Sequence, residues 1–240
     1  MAVASLSLIH PDKLSRPNYA VVFDVETTGM LPRNGTITSS GLITPEGLVI
    51  PFDQLPYITQ FSFVIYNVTS KRIMRTYNQY IRLPVGVKIP SEVTKITGIT
   101  DEKCIECGVD IVEALAHFNG AYRFSNILVA HNFDFDHRML QLECARNATS
   151  VIRRWGYNPR FFDLAEELKR GMTRYCTMQE GTKRCNIMVP GRRTPKWPTL
   201  SELHQTLFGV IPENLHDSLV DVLATLKCYE EMTIYTLEDL

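Results

Sequence analysis

Net charge is nearly absent from this chain. Against 25 Lys and Arg stand 26 Asp and Glu in 240 residues, so bulk composition gives no sign of a polyanion-binding protein. Apolar runs long enough to span a bilayer as a helix are missing, so no membrane partner is expected. Met1 to Leu14 has neither the basic start nor the apolar centre of a secretory leader. The expected location is therefore intracellular and soluble, in cytoplasm or nucleus, and not secreted. The Asn-x-Thr triplets at Asn34, Asn67 and Asn147 then carry no meaning. Cysteine is sparse, with six residues at 104, 107, 144, 176, 185 and 228. Cys104 and Cys107 have the spacing of half a zinc site, but Cys176 and Cys185 are badly spaced to complete it. Cys144 and Cys228 fall within helical patterns, so free thiols in a reducing compartment are expected. Internal repeats and low-complexity tracts are also lacking.

What is present suits one soluble domain over residues 1–240, with 45% hydrophobic and 21% charged residues. Charge is uneven along the chain. Residues 152–196 hold 11 Lys/Arg and 4 Asp/Glu, whereas 197–240 hold 1 and 8. The basic stretch reads either as a phosphate-attracting face or as a solvated surface.

Tyr19 to Phe23 is a short apolar run ending in acid, the pattern of a buried central strand. Residues 30–56, rich in Gly, Pro, Thr and Ser, read as a loop or small hairpin inserted after it, at about 31–56. Phe61 to Asn67 and Ile73 to Ile81 form a hairpin around Thr69-Ser70-Lys71. Helices are expected from Pro90 to Gly98, over 109–119, 134–146 and 161–170, from Pro198 through Leu207, and over 217–232. Further strands are expected at Ile127–Ala130 and Tyr175–Met178. A strand meander followed by alternating helices and strands predicts an α/β fold with a mixed sheet flanked by helices.

The chemistry-bearing residues lie at element ends. Asp24 and Glu26 are two apart on a strand, so both point to one face, about 7 Å apart along it. A polar strand end or a shared metal cluster explains the pair equally well. On the helix wheel Asp136 shares the face of Met139 and Leu140, while Asp134 falls opposite and reads as an N-cap. An acid on the apolar face of a first turn needs a metal or a buried base as partner. Asn132, just before that helix, is either a substrate contact or a turn former. In the last helix the expected core stripe is Leu219, Val222, Leu223 and Leu226, which leaves Asp221 facing solvent. His216 converges with Asp221 only from the entry loop, because five helical residues would separate them by about 140°.

Three segments taken together resemble the motifs of the DnaQ-like 3′–5′ exonucleases. They are Val22-Phe23-Asp24-Val25-Glu26-Thr27-Thr28-Gly29, Val129-Ala130-His131-Asn132 with Phe135-Asp136, and His216-Asp217-Ser218-Leu219-Val220-Asp221. The histidine four residues before the last acid's preceding position marks the DEDDh branch. Ile96-Thr97-Gly98-Ile99-Thr100 and the stretch from Trp197 to Gly209 are secondary matches. Departures are few: Ser218 stands where alanine is common, and the insert is longer than usual. The resemblance implies a ribonuclease H-like fold, a mixed five-stranded sheet with an antiparallel meander and then parallel strands. It implies two divalent cations, Mg²⁺ or Mn²⁺, held by Asp24, Glu26, Asp136 and Asp221. His216 would act as general base towards a water of lowered pKa. Thr27, Thr28 and Gly29 would offer backbone donors to the last nucleotide, and Thr97, Gly98 and Asn132 would line the path of the one before it. Met30 or Leu31 would stack on or wedge against the terminal base.

The implied partner is nucleic acid with a free 3′ end, single-stranded or frayed, DNA or RNA, with a homodimer left open. The alternatives are a catalytically silent binding module of the same fold and a polymerase proofreading subunit. The short stretch expected after the last helix favours a stand-alone enzyme.

Overall fold

The apolar run that ends in Asp24 becomes the middle strand of a five-stranded sheet. The computed structural model describes residues 18–238 except Arg33 and Arg160, with side chains of the last helix as far as Thr233. Met1 to Leu14, read above for a secretory leader, lies outside the described residues. The sheet comprises β1 (Tyr19–Thr27), β5 (Ile58–Asn67), β6 (Arg72–Tyr80), β7 (Ile127–Ala130) and β8 (Thr173–Cys176), in the order β6-β5-β1-β7-β8. β1, β5 and β6 are antiparallel, whereas β1, β7 and β8 run parallel. This is the mixed sheet expected from the sequence.

Its two faces are covered differently. Val21, Phe23 and Val25 face the main core with Leu115 and Phe118 of α3 (Ile111–Phe124) and Met139 and Leu140 of α4 (Phe133–Arg146). Phe118 sits among the rings of Phe23, Phe61, Phe63 and Phe161. On the other face Ala20, Val22, Val64 and Val129 pack against Val222, Leu226 and Tyr229 of α9 (Ser218–Glu238). α8 (Leu200–Phe208) seals the far side of α9 through Leu200 and Leu203 against Ala224, Cys228 and Met232. Side-chain caps fix where two of these helices begin. The Asp110 carboxylate accepts from the amides of Val112 and Glu113 at the start of α3, and Thr199 with Glu202 forms a capping box on α8.

The insert is more ordered than a loop or single hairpin. It is a three-stranded antiparallel meander of β2 (Thr36–Ile37), β3 (Gly41–Ile43) and β4 (Val49–Pro51). Leu42 enters the main core, and Arg138 of α4 donates to the carbonyls of Pro32 and Gly35, so the meander is docked on α4.

Other expectations need correction. The last strand lies at 173–176, two residues before Tyr175–Met178, because the chain turns at Thr177 into α7 (Thr177–Cys185). Besides α1 (Ser91–Thr97) and α6 (Leu164–Arg170), three unexpected helices occur, α7 and the shorter α2 (Asp101–Cys107) and α5 (Ala148–Trp155). All three are too short for a clear apolar period. α3 runs on to Phe124 rather than stopping near 119, and α9 runs on to Glu238 rather than stopping near 232. All six cysteines are free thiols. Among the described residues no helix is long and apolar enough to cross a membrane.

Candidate active site

Cross-strand register lays polar residues in rows on the α9 face of the sheet. Asp24 pairs with Ser62, which pairs with Asn78; Glu26 pairs with Gln60, which pairs with Tyr80. Directly paired residues share a face, so Asp24 and Glu26 project together, as their spacing predicts. The apolar rows of Ala20 and Val22 lie under α9. The polar rows begin where α9 starts, because Ser218, its first residue, donates from Oγ to the Asp24 carbonyl at 3.0 Å.

α4 brings the third acid. β7 is paired with β1 only as far as Val22 and Val129, and Asp136 Oδ1 accepts the N–H of Val25 at 3.1 Å. Asp136 is buried, as the helix wheel predicts. Asp134 is not the N-cap, however. Asn132 occupies that position with φ 62°, and Asp134 lies in the first turn, its side chain 69% exposed and 3.9 Å from His137 and Arg138.

Asp221 is not the solvent-facing acid that hydropathy suggests. The buried face of α9 includes Ser218, Val222, Thr225 and Leu226, whereas Leu223 is exposed. Asp221 is one turn from Ser218 and from Thr225, on their side. His216 lies on the entry loop in a left-handed conformation, φ 73°, and donates its N–H to Asp221 Oδ1 at 3.2 Å. Ligand atoms of Glu26, His216 and Asp221 all lie within 4.8 Å of one another, the one such group of His, Cys, Asp and Glu among the described residues.

The electrostatics of the four acids are strained in one direction. Burial, then the charges of Asp136, Asp221 and Glu26, hold Asp24 well above the usual carboxylate range. Burial likewise raises Asp136, against the pull of the Val25 amide. Burial and the charges of Asp221 and Asp217 push Glu26 to about 8. Burial pushes Asp221 to about 6, opposed by His216. Among the described residues no Lys or Arg acts on any of the four. Asp24 Oδ2 is buried without a hydrogen-bond partner among the described residues. Carboxylates in that condition call for a cation, and an oxygen-rich donor set with one histidine at its edge suits a hard divalent ion.

Sequence reasoning missed the polar scaffold around the acids. Gln60, almost fully buried, donates from Nε2 to Asn78 Oδ1 and to Asp217 Oδ2, and its Oε1 accepts the N–H of Ser218. Ser62 Oγ donates to the same Asn78 oxygen. Asp217 caps α9 by accepting from Leu219 and Val220. Contacts spanning some 158 positions have no local signal. On the other side His131 follows the end of β7, level with Asp24 in the continued register. Its Nε2 meets the Pro198 carbonyl at 3.2 Å and its Nδ1 meets Thr177 Oγ1 at 3.0 Å. A carbonyl only accepts, so Nε2 carries the proton and Nδ1 accepts from threonine. Burial keeps the ring neutral by pushing its pKa down to about 4.

The expected nucleotide contacts divide. Thr27 is buried and its hydroxyl donates to Gly29 O. The Thr28 N–H is committed to Tyr57 O at 2.8 Å, and its hydroxyl accepts from Tyr57 N–H, so Thr28 has no backbone donor to offer. Open space surrounds the Gly29 α-carbon. Met30 is 74% exposed, whereas Leu31 is buried in the main core and is no wedge. Thr97 and Gly98 close α1, with the Thr97 hydroxyl donating to Val93 O and the Gly98 carbonyl accepting from Lys103. Nearby Ile99 and Tyr80 belong to one small cluster, and β6 lies about 10 Å from β1 by strand spacing. They flank the acids without joining them. The Asn132 side-chain amide has no hydrogen-bond partner among the described residues, so it turns the chain and is also available to a ligand.

Residues 21–229 match the family described as exonuclease, RNase_T. The chain belongs to this exonuclease family. Over 121 residues, half of the chain, it is 32% identical to the PolC-type DNA polymerase III of Mycoplasmopsis pulmonis (strain UAB CTIP), of which that segment is 7%. In fold it is similar to exonuclease I, with a TM-score of 0.60 and 17% identity over 90% of this chain and 41% of that one. E. coli exonuclease I in complex with a dT13 oligonucleotide aligns with a TM-score of 0.57 and 16% identity over 89% and 40%. The nuclease domain of 3'hExo, a DEDDh family member bound to rAMP, aligns over 94% of both chains with a TM-score of 0.54 and 15% identity. The chain thus spans less than half of exonuclease I and a small part of the polymerase. The exonuclease domain has the ribonuclease H-like fold of the DnaQ-like superfamily.

Proposed function

We propose that this exonuclease domain, a single domain over the whole chain, removes nucleotides one at a time from a free 3′ end, releasing nucleoside 5′-monophosphates. The observation that carries the reading is a set of four converging carboxylates with no Lys or Arg acting on them among the described residues, one having a buried oxygen without a hydrogen-bond partner there. Asp24, Glu26, Asp136 and Asp221 would hold two divalent cations, Mg²⁺ or Mn²⁺, through oxygen. Such cations, when bound, lower the pKa of a water and offset the charge on the leaving 3′ oxygen. His216 accepts the water's proton from its loop, beside Glu26 and Asp221. Asp217 and Gln60 hold that loop in place. Gly29 and exposed Met30 border the terminal nucleotide, with Met30 offering a flexible, polarizable edge to its base. Thr27 shapes that turn through its bond to Gly29, while Asn132 and the Thr97–Gly98 corner line the approach of the preceding nucleotide.

A 5′-labelled oligonucleotide with Mg²⁺ should yield a ladder shortened from the 3′ end and mononucleotide products. Chelation should stop it, a blocked 3′ end should prevent it, and Asp24→Ala or His216→Ala should reduce it by at least about 10²-fold. Activity persisting in both variants would sink the assignment, and binding without any cleavage would support a silent module. A second reading, proofreading for a polymerase, is favoured by the likeness to the PolC-type polymerase. It predicts faster removal of a mismatched than of a paired 3′ nucleotide from a primed template.

A further inference from the structure

Between Gly181 and Ser201 the chain carries five Lys or Arg and no acid. Most of this stretch is an arm joining α7 to α8, and its geometry is defined. The Lys196 N–H donates to Ile187 O, closing a stem. Arg192 N–H donates to Val189 O, with Pro190 and Gly191 between them and Gly191 at φ 81°. Pro followed by a left-handed glycine is the pattern of a type II turn, which sets Arg192 and Arg193 at the tip. Lys183, Arg192 and Arg193 are exposed and have no acidic partner among the described residues, whereas Lys196 is paired with Glu202. At the base of the arm Trp197 is 60% exposed, beside Pro198, whose carbonyl is held by His131. Since His131 continues the row of Asp24 one strand over, its backbone lies about 5 Å in strand spacing from the acids' strand, and its ring ties the base of the arm to that neighbourhood.

We propose that this arm is a track for the single-stranded nucleic acid leading into the acid cluster, with a base stacked on Trp197 and phosphates paired with Arg192 and Arg193. A large exposed indole beside unpaired cations matches what a flexible polyanion with π-faces needs, and it does not depend on sequence. The inference rests on the proposed nuclease reading for its direction into the site. The clamp by half-buried His131 fixes the platform relative to Asn132 and α4, so the arm adds little ordering cost on binding.

Binding of fluorescein-labelled dT12 and dT2, measured by anisotropy with EDTA present, tests it apart from cleavage. Trp197→Ala should weaken dT12 binding by about 5- to 150-fold, the value of one stacked base. Trp197→Phe should recover most of that loss, and the effect should fade on dT2. Replacing Arg192 and Arg193 by Ser should flatten the salt dependence of dT12 binding by about 0.7 in log–log slope per arginine. Unchanged affinity in Trp197→Ala, an equal loss on dT2, or no wild-type binding of dT12 would overturn the track. Normal cleavage with Mg²⁺ alongside an unaffected Trp197→Ala would remove the arm and leave the nuclease. Arm-dependent binding without any cleavage would do the reverse.

Discussion

Two groups of carboxylates are withdrawn from solvent in different parts of the fold, and the chain treats them differently. On the main-core side, Glu143 is paired with Arg146, and Glu167 with Arg174 and the hydroxyl of Tyr122. Glu143 is surrounded by donors: it also accepts from the Ile58 amide and from Asn147 Nδ2. Burial still raises its pKa, but Arg146 is the largest force pulling it back. At the start of α9, burial raises Asp24, Glu26, Asp136 and Asp221, the charge of Asp221 raises the other three further, and no arginine or lysine among the described residues acts on them. Acids that hold the fold together are supplied with partners from the same chain. On the proposed function the second group is kept for a ligand, and the protein carries the resulting repulsion until one binds.

The largest effect expected from this contrast is on stability. Arg146 also donates to the carbonyls of Phe52, Leu55 and Pro56 and stacks on Tyr57, 3.8 Å from the ring centre. Arg146→Ala would strand Glu143 and should cost about 3–5 kcal/mol, a fall of about 6–20 °C in the melting temperature for a chain of this size. Because Tyr57 holds both the amide and the hydroxyl of Thr28, activity should fall as well. Asp24→Asn should do the opposite to stability, raising the melting temperature of the metal-free protein by a few degrees while removing activity. Calorimetry on the two variants tests the distinction, and a loss of stability in Asp24→Asn would put that acid in the structural group.

The same contrast explains what was legible in the sequence. β1 and its two acids were readable because a continuous apolar run stops at a carboxylate, and strand alternation puts Asp24 and Glu26 on one face. Asp136 was separable from Asp134 because α4 buries one well-defined stripe. Asp221 was not, because α9 packs against both the sheet, through Val222 and Leu226, and α8, through Ala224 and Cys228. Its remaining contact face is made of Ser218 and Thr225, small polar residues that carry no hydropathy signal. The motif, not the period, identified Asp221. Gln60, Asn78 and His131 escaped notice because each acts through partners distant in sequence, and the arm at 186–197 was seen only as part of a basic stretch with two readings.

Stability against pH sharpens the comparison next. Glu26 at about 8 and Asp221 at about 6 stand above their ordinary values. For acids whose folded pKa is raised, folding favours the protonated form, so their contribution is full below the unfolded pKa and is lost as pH rises through the folded one. The metal-free protein should therefore lose stability as pH rises from about 4 through about 8, by up to about 1.4 kcal/mol per pH unit for each group while it titrates. Saturating Mg²⁺ should cancel the loss, and its stabilising effect should grow over the same window. A melting temperature independent of pH without metal would mean that the four acids are compensated within the chain after all.

The smallest expected effect concerns the neutral bridge between the rows. Gln60 touches both Asn78 of the sheet and the entry of α9, donating to Asp217 and accepting from Ser218. Gln60→Ala leaves a buried amide and a carboxylate oxygen with fewer partners, which should cost about 1–2 kcal/mol of stability. Its sharper consequence is positional, since the same entry loop presents His216. Turnover should fall by about tenfold, with KM for an oligonucleotide within about twofold, a split that loss of folded protein alone would not produce. Gln60→Glu keeps the acceptor for Ser218 but sets a further carboxylate against Asp217 and beside Glu26. If unmatched charge in these rows is tolerated only where a cation takes it up, the glutamate variant should be slower than the alanine variant at high pH, and activity equal to wild type would show that the neutrality of this bridge is incidental.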